Sequence, residues 1–177
     1  PISNDKGNFI KPGFDPLAAQ TSFTVYNLYS WGLNTSGQLG NGSTANTSSP
    51  AQVGSLTAWA HSFTGSTFGG AITGTGTLWM WGANTWGNLG DGTTVSKSSP
   101  IQIGALTNWQ SADGGSYHTS AIKTDGTLWA WGHNNNGQIG DGTSGTNRSS
   151  PIQIGALTTW YKISCGQSHV LATKTDG

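Results

Sequence analysis

Leu128 to Gly142 reads LWAWGHNNNGQIGDG: an aromatic strand, a polar turn anchored by glycines, and a second tight turn. The same text stands at Leu78 to Gly92 (LWMWGANTWGNLGDG) and at Leu28 to Gly42 (LYSWGLNTSGQLGNG). The Trp-Gly pairs begin at Trp31, Trp81 and Trp131, 50 residues apart each time. Self-similarity at that period signals a repeat architecture, in which each unit buries its apolar face against a neighbour.

Working outward, Ser-Ser-Pro recurs at Pro50, Pro100 and Pro151, and a lone indole follows at Trp59, Trp109 and Trp160. The third copy is one residue longer because the loop Thr143 to Arg148 carries an insertion, and insertions collect in loops. In the second full copy four short strands are expected at Pro100–Ile103, Trp109–Asp113, His118–Lys123 and Thr127–Trp131. Thr124-Asp125-Gly126 and Asp141-Gly142 supply the positive backbone angles of tight turns, and the first copy writes the former turn as Gly74-Thr75-Gly76. No segment carries a 3.6-residue period long enough for a helix. The expected fold is all-β, with propeller blades of four antiparallel strands. The domain reading is an arm over residues 1–27, then a partial propeller over 28–177 with repeats at about 28–77, 78–127 and 128–177.

Trp79 and Trp81 lie two apart on a strand and share a face, as do Trp129 and Trp131, and Tyr29 and Trp31. Flat side chains at repeating positions suit the gap between stacked blades. Trp31, Trp59, Trp79, Trp81, Trp109, Trp129, Trp131 and Trp160 are therefore assigned to the repeat core.

The composition narrows the function. The 177 residues include 28 Gly and 9 Trp, only 8% are charged, none is Glu, and seven acidic residues balance seven basic ones. Such a surface has no field to gather phosphate, which argues against nucleic-acid binding. No apolar run approaches the length of a membrane span, so membrane insertion is not expected. Cys165 stands alone, which rules out a disulfide within these residues and a thiolate cluster. Its place in an expected strand suits a small buried hydrophobe better than a nucleophile. Pro1 stands where an initiator Met would, so a processed or omitted start is expected.

In the arm, Lys11-Pro12-Gly13-Phe14-Asp15-Pro16 is broken by prolines and cannot be helical. It reads as an extended segment, either a flexible lead-in or a docking arm that lays Phe9, Phe14 and Leu17 on a partner.

The recurring text WG-x-N-x-x-G-x-[Leu/Ile]-G-[Asn/Asp]-G, at Trp31 to Gly42, Trp81 to Gly92 and Trp131 to Gly142, resembles the regulator of chromosome condensation repeat family. Ile163-Ser164-Cys165-Gly166-Gln167-Ser168-His169 and Lys174-Thr175-Asp176-Gly177 add to the likeness, which covers about residues 28 to 177. The resemblance implies a seven-bladed propeller with four-stranded blades. A kelch propeller has a similar period and Gly pairs such as Gly114-Gly115, but does not account for the WG and Gly-x-Leu-Gly-Asp-Gly text. Three repeats are fewer than a closed ring needs. The chain is therefore expected to continue past Gly177 with text close to TLWAWG; the alternative is that neighbouring chains complete the ring as a homo-oligomer.

No catalytic constellation is readable. His118 and His169 share a repeat slot that the first copy fills with Phe68, which makes it a packing position; His61 and His133 read as isolated. Asp91 and Asp141, with Asn41 in the first copy, read as turn formers. Without Glu, paired Cys or a His-Glu-x-x-His text, neither a metal site nor a cofactor site is assigned. A central channel is expected to receive mostly Ser, Thr and Gly. Four Asn-x-Ser/Thr sequons, at Asn34, Asn41, Asn46 and Asn147, match what chance produces in so Asn-, Ser- and Thr-rich a chain. Trp86 has Ser36 and Asn136 at its equivalents and lies in a turn, so it is named with Arg148 as a candidate partner contact.

Members of the resembled family include an exchange factor on chromatin, a plant UV-B photoreceptor and a bacterial β-lactamase inhibitor. The chain lacks the basic surface of the first and the Gly-Trp-Arg-His-Thr cluster of the second. What they share is binding. Near-identical repeats with Ser/Thr/Asn/Gly loops and almost no charge are similar in texture to bacteriophage structural and bacterial surface proteins. The expectation is a non-enzymatic binding propeller on a virion surface or tail appendage, or otherwise extracellular. It would be docked by its arm and display loops to other proteins or a glycan receptor. A soluble protein-binding propeller, an inhibitor or bacterial interaction module, is the alternative.

Overall fold

The computed structural model describes residues 26–56 and 58–176. Phe9, Phe14 and Leu17 of the arm lie outside the described residues. Twelve strands follow in order: β1 (Tyr29–Gly32), β2 (Thr47–Gln52), β3 (Trp59–Thr64), β4 (Phe68–Thr73), β5 (Leu78–Gly82), β6 (Lys97–Gln102), β7 (Trp109–Gly114), β8 (His118–Lys123), β9 (Leu128–Gly132), β10 (Arg148–Gln153), β11 (Trp160–Cys165) and β12 (Val170–Lys174). No helix occurs among the described residues, and so none long and apolar enough to cross a membrane.

The strands form two complete antiparallel sheets, β3-β4-β5-β6 and β7-β8-β9-β10, flanked by the pairs β1-β2 and β11-β12. The expected strand type and count per sheet are correct, but the sequence repeat and the sheet are out of phase. The strand expected at Pro100–Ile103 does not join Trp109–Asp113. As β6 it pairs with β5 of the preceding sheet, with Met80 opposite Ile101 and Trp79 opposite Gln102. Gly104, at φ +64°, then turns the chain toward the next sheet. The first strands β3, β7 and β11 pack side by side, so they form the inner wall of the arc.

The repeat text is a loop wound around one buried amide. Asn34, Asn84 and Asn134 are each fully buried. Their Oδ1 atoms accept from the backbone N–H of Leu39, Leu89 and Ile139 at 2.9, 2.9 and 3.1 Å. Their Nδ2 groups donate across the same loop, to Ser43 O at 3.0 Å, Thr93 O at 3.1 Å and Thr143 O at 3.2 Å. Burying an amide is tolerated only when it is satisfied in this way. The arrangement also withdraws the sequon at Asn34 from solvent.

Between the sheets lie groups of three indoles. The Trp59 ring meets Trp79 and Trp81 edge-on, each at 6.4 Å, and Trp109 meets Trp129 and Trp131 at 6.0 Å each. Edge-to-face contact is the favoured geometry for such rings. The Trp81 indole donates back to Gln38 O of the previous repeat and Trp131 to Asn88 O, both at 2.9 Å. Gly40 and Gly90 must be glycine here: a Cβ at either would stand within 2.8 and 2.7 Å of the indole.

Two members of the assigned core depart from expectation. Trp31 is 61% exposed, because no preceding repeat covers it among the described residues. Trp160 is only half-buried for the mirror reason, as it lies in the last pair. Trp79 and Trp129 are half-buried at the sheet margin, where the Lys123 ammonium caps Trp129 at 3.4 Å from the ring centroid. Burial lowers the Lys123 pKa against the opposing pull of Asp125, and the cation–π contact replaces part of the lost hydration.

Candidate interaction surface

Copies of one repeat differ where packing does not dictate the residue, and three such departures converge. Trp86 follows β5, Tyr117 precedes β8, and His133 follows β9. Their repeat equivalents are Ser36 and Asn136, Thr67 and Ser168, and Leu33 and Ala83. The Trp86 ring lies 4.7 Å from that of His133, and Tyr117 meets the same imidazole edge-on at 6.3 Å. Gln138 Nε2 donates to His133 Nδ1 at 2.9 Å and fixes the ring. Trp86 is 36% and Tyr117 41% exposed. The result is an aromatic cluster with polar edges, its rings tilted by 58° and 78° to the central imidazole, held at the junction of two blades. Surfaces of this kind favour protein side chains or sugar rings, because rigid area is presented at little entropic cost.

Of the two candidate contacts outside the arm, Trp86 is exposed, whereas Arg148 is paired within its own loop. Its Nη2 and Nε donate to Asp141 Oδ2 at 2.7 and 3.1 Å, so the guanidinium is spent within its own loop. The Thr143 hydroxyl first, and Arg148 next, hold the Asp141 carboxyl down at about 2. Asp91 repeats the turn with Thr93 and is likewise lowered. Both aspartates are turn formers, as expected. His133, read as isolated, is the centre of the aromatic cluster. Tyr117 and His133 escaped the sequence reading because they are far apart along the chain. The available signal was that three departures from the repeat fall on adjoining loops.

The inner wall is richer in ionisable groups than the expected Ser, Thr and Gly. A groove of about 650 Å³ is lined by His61, Gln110, Asp113, Tyr161 and Lys162, among others. Two of these groups, His61 and Asp113, have a structural employment. The His61 ring lies 2.8 Å from Ala112 O across the blade gap. Asp113 accepts from the N–H of Gly114 at 2.9 Å and of Cys165 at 2.8 Å, stitching two blades together. Burial, with Asp113 beside it, pushes the Cys165 thiol up to about 12, so no thiolate forms near neutrality. His118 is fully buried and neither ring nitrogen has a partner among the described residues. Burial, aided by His133, lowers its pKa to about 4, so it packs as a neutral ring. A Cβ on Gly115 would fall 2.1 Å from that ring, as one on Gly65 would from Phe68, so the Phe/His slot is a packing slot. No three His, Cys, Asp or Glu side chains gather as metal ligands among the described residues.

The comparisons agree with this architecture. The family model described as "Regulator of chromosome condensation (RCC1) repeat" matches residues 27–72, 75–122 and 125–173. Among solved structures the chain is similar to human WBSCR16, at 23% identity and a TM-score of 0.75 over 85% of this chain. It is also similar to Prp20p from Saccharomyces cerevisiae, studied for its binding to Gsp1p and histones, at 20% identity and 0.74 over 82%. A structure of that yeast protein with Kap60 gives 20% identity and 0.71 over 86%. The chain spans 41%, 39% and 38% of the length of those three chains. No curated protein sequence matches. On the three matched repeats, the chain belongs to the regulator of chromosome condensation (RCC1) repeat family of β-propellers.

Proposed function

We propose that this chain is part of a non-enzymatic binding propeller that meets a protein partner through the rim bearing Trp86, Tyr117 and His133. The observation that carries the reading is that these three side chains, each unlike its repeat equivalents, meet at one blade junction, with Trp86 and Tyr117 exposed to solvent around a half-buried His133. The partners of the yeast protein, Gsp1p, histones and Kap60, are proteins, which supports a protein partner here too. The non-enzymatic part is supported by a thiol at about 12 and by an imidazole closed off from solvent. The display site we propose is a virion surface or tail appendage, or another extracellular assembly, docked by residues 1–27. Near-identical repeats and the 8% charge content support it. Sugar binding at the same aromatic face is a finer form of the same reading.

A photoreactive benzophenone amino acid placed at position 86, and separately at position 36, tests it in the native assembly. Cross-linking to a protein from position 86 and not from 36 is expected. Equal capture at both positions, or none at 86, overturns the rim assignment. Cross-linked products from purified virions decide the display site.

A further inference from the structure

The aromatic cluster at the rim holds a hydrogen whose place is dictated by the loop beneath it. Gln138 is buried, and its Oε1 accepts from the backbone N–H of Asn136 at 2.9 Å. Gln38 makes the same bond to Ser36 N at 2.8 Å, so the orientation belongs to the repeat loop and not to the rim. A flipped amide would set its NH2 against the Asn136 N–H, donor against donor. The Gln138 Nε2 group is therefore the one that meets His133 Nδ1 at 2.9 Å, and it can only donate. The Nδ1 atom then accepts, and the imidazole carries its hydrogen on Nε2. The backbone anchors the ring as well, because His133 N–H donates to Tyr117 O at 2.8 Å.

Nothing among the described residues takes up that hydrogen: Nε2 has no hydrogen-bond partner there and is not enclosed. The indoles show the same contrast. Trp79 and Trp129 donate to threonine hydroxyls, and Trp81 and Trp131 to carbonyls. The Trp86 indole, 36% exposed, has no acceptor among the described residues. No charged side chain stands in residues 84–88, 115–118 or 133–138, which build the cluster. The rim thus presents N–H donors on uncharged aromatic rings, while Gln138 Oε1 is already used.

We propose that the partner segment seated here is a proline-containing extended peptide whose carbonyls accept from His133 Nε2 and the Trp86 indole, with Gln138 as the positioning residue. The inference rests on the rim reading and names the chemistry of its partner. An X-Pro carbonyl brings an acceptor, and proline brings no N–H for an aromatic wall to strand. Such a segment is already extended with its carbonyls unbonded, so little ordering is lost when it docks on aromatic rings. A sugar ring would bring hydroxyl donors in need of acceptors. It also asks for a flat stacking face, whereas these rings lie at 58° and 78° to the imidazole. A carboxylate would find no cation beside it.

Two measurements test it, the first without any partner. Long-range proton–nitrogen NMR of the protein above neutral pH is expected to show His133 protonated at Nε2, and Gln138→Leu to mix the two tautomers. A hydrogen on Nδ1 in the unaltered protein overturns the proposal. Fluorescence anisotropy of labelled decaproline then reads binding, with a Gly-Ser peptide of equal length as control and maltoheptaose as competitor. Decaproline alone is expected to bind. His133→Phe keeps a ring and removes the donor, and should weaken binding about tenfold, with Trp86→Ser at least as damaging. Gln138→Leu should weaken it about threefold. Leu33 and Ser36 fill the first two places in the first repeat, so the fold accepts an apolar residue at one and a small one at the other, and circular dichroism checks this. Absence of decaproline binding, indifference to His133→Phe, or displacement by maltoheptaose overturns the proposal. If position 86 still cross-links a protein in that event, the rim reading stands and only its chemistry falls; if it captures nothing, the rim reading falls too.

Discussion

Trp31 and Trp131 occupy the same place in nearly the same text, yet one is 61% exposed and the other fully buried. Trp31 stands on β1 and Trp131 on its counterpart β9, each before a Gly, and each is followed by the same glycine-rich loop. The difference lies in what adjoins them. Trp131 donates to Asn88 O and rests over Gly90, both contributed by the previous repeat, and Trp109 packs against its ring. Trp31 has no such neighbour among the described residues. The contribution of a repeat residue is therefore set at the junction, as nearest-neighbour coupling in a stacked array requires.

The sharpest way to break this comparison is to remove both rings in turn. Trp131→Ala is expected to cost about 3–5 kcal/mol, since it empties a buried indole site. Trp31→Ala should stay within about 0.5 kcal/mol in the isolated chain, as exposed positions do. Urea unfolding followed by circular dichroism measures both. Equal losses would mean that the ring stabilises its own blade rather than the junction.

The histidines extend the comparison to pH. His118 is buried with its pKa lowered from 6.5 to about 4, first by burial and then by His133, with Asp113 opposing. Its counterpart His169 is exposed at the end of the arc. Because the folded-state value is the lower one, the unfolded chain takes up the proton first on acidification. Stability is expected to fall as pH drops below 6.5 and to level off near 4, by about 3 kcal/mol for this group. His118→Phe, the choice made at Phe68, should remove that slope. Asp141, held at about 2, contributes in the opposite sense of charge: its stabilisation persists above the ordinary carboxylate range and is lost only as pH falls toward 2. Melting curves between neutral pH and about pH 4 thus isolate His118. An unchanged slope in the Phe variant would refute the assignment.

The smallest expected difference lies in the loop amides. Asn34 and Asn134 are both fully buried and bonded within their own loops, the first loop covered by the Trp81 indole and the second with no indole over its Gly140. Replacing either with Ala orphans several backbone groups and should cost about 2 kcal/mol at both positions. A marked inequality, seen in the same unfolding assay, would show that this loop too depends on its neighbour.

Those amides mark the border between what was legible in the text and what was not. Asn34, Asn84 and Asn134 with their following glycines and Leu or Ile specify a loop whose partners lie within about a dozen residues. Asp125 likewise closes its own turn by accepting from Thr127 N at 3.0 Å. Short strands, tight turns and the four-stranded unit follow from such local chemistry and from the period of the text. The sequence copy nevertheless misassigned β6, because a repeat in text has no marked beginning, whereas the sheet begins wherever the inner strand lies.

The aromatic rim needed the tertiary structure. Trp86, Tyr117 and His133 are brought together only when two blades stack, and only the folded loop sets Arg148 beside Asp141. The amino-acid sequence by itself determined an all-β repeat, its turns and the positions of its indoles, since these depend on bonds made within a few residues. Only the tertiary structure decided which indoles are covered, which histidine is neutral and which loops face solvent together. Those outcomes depend on the neighbouring blade, through hydrophobic contact and desolvation that no single repeat can supply.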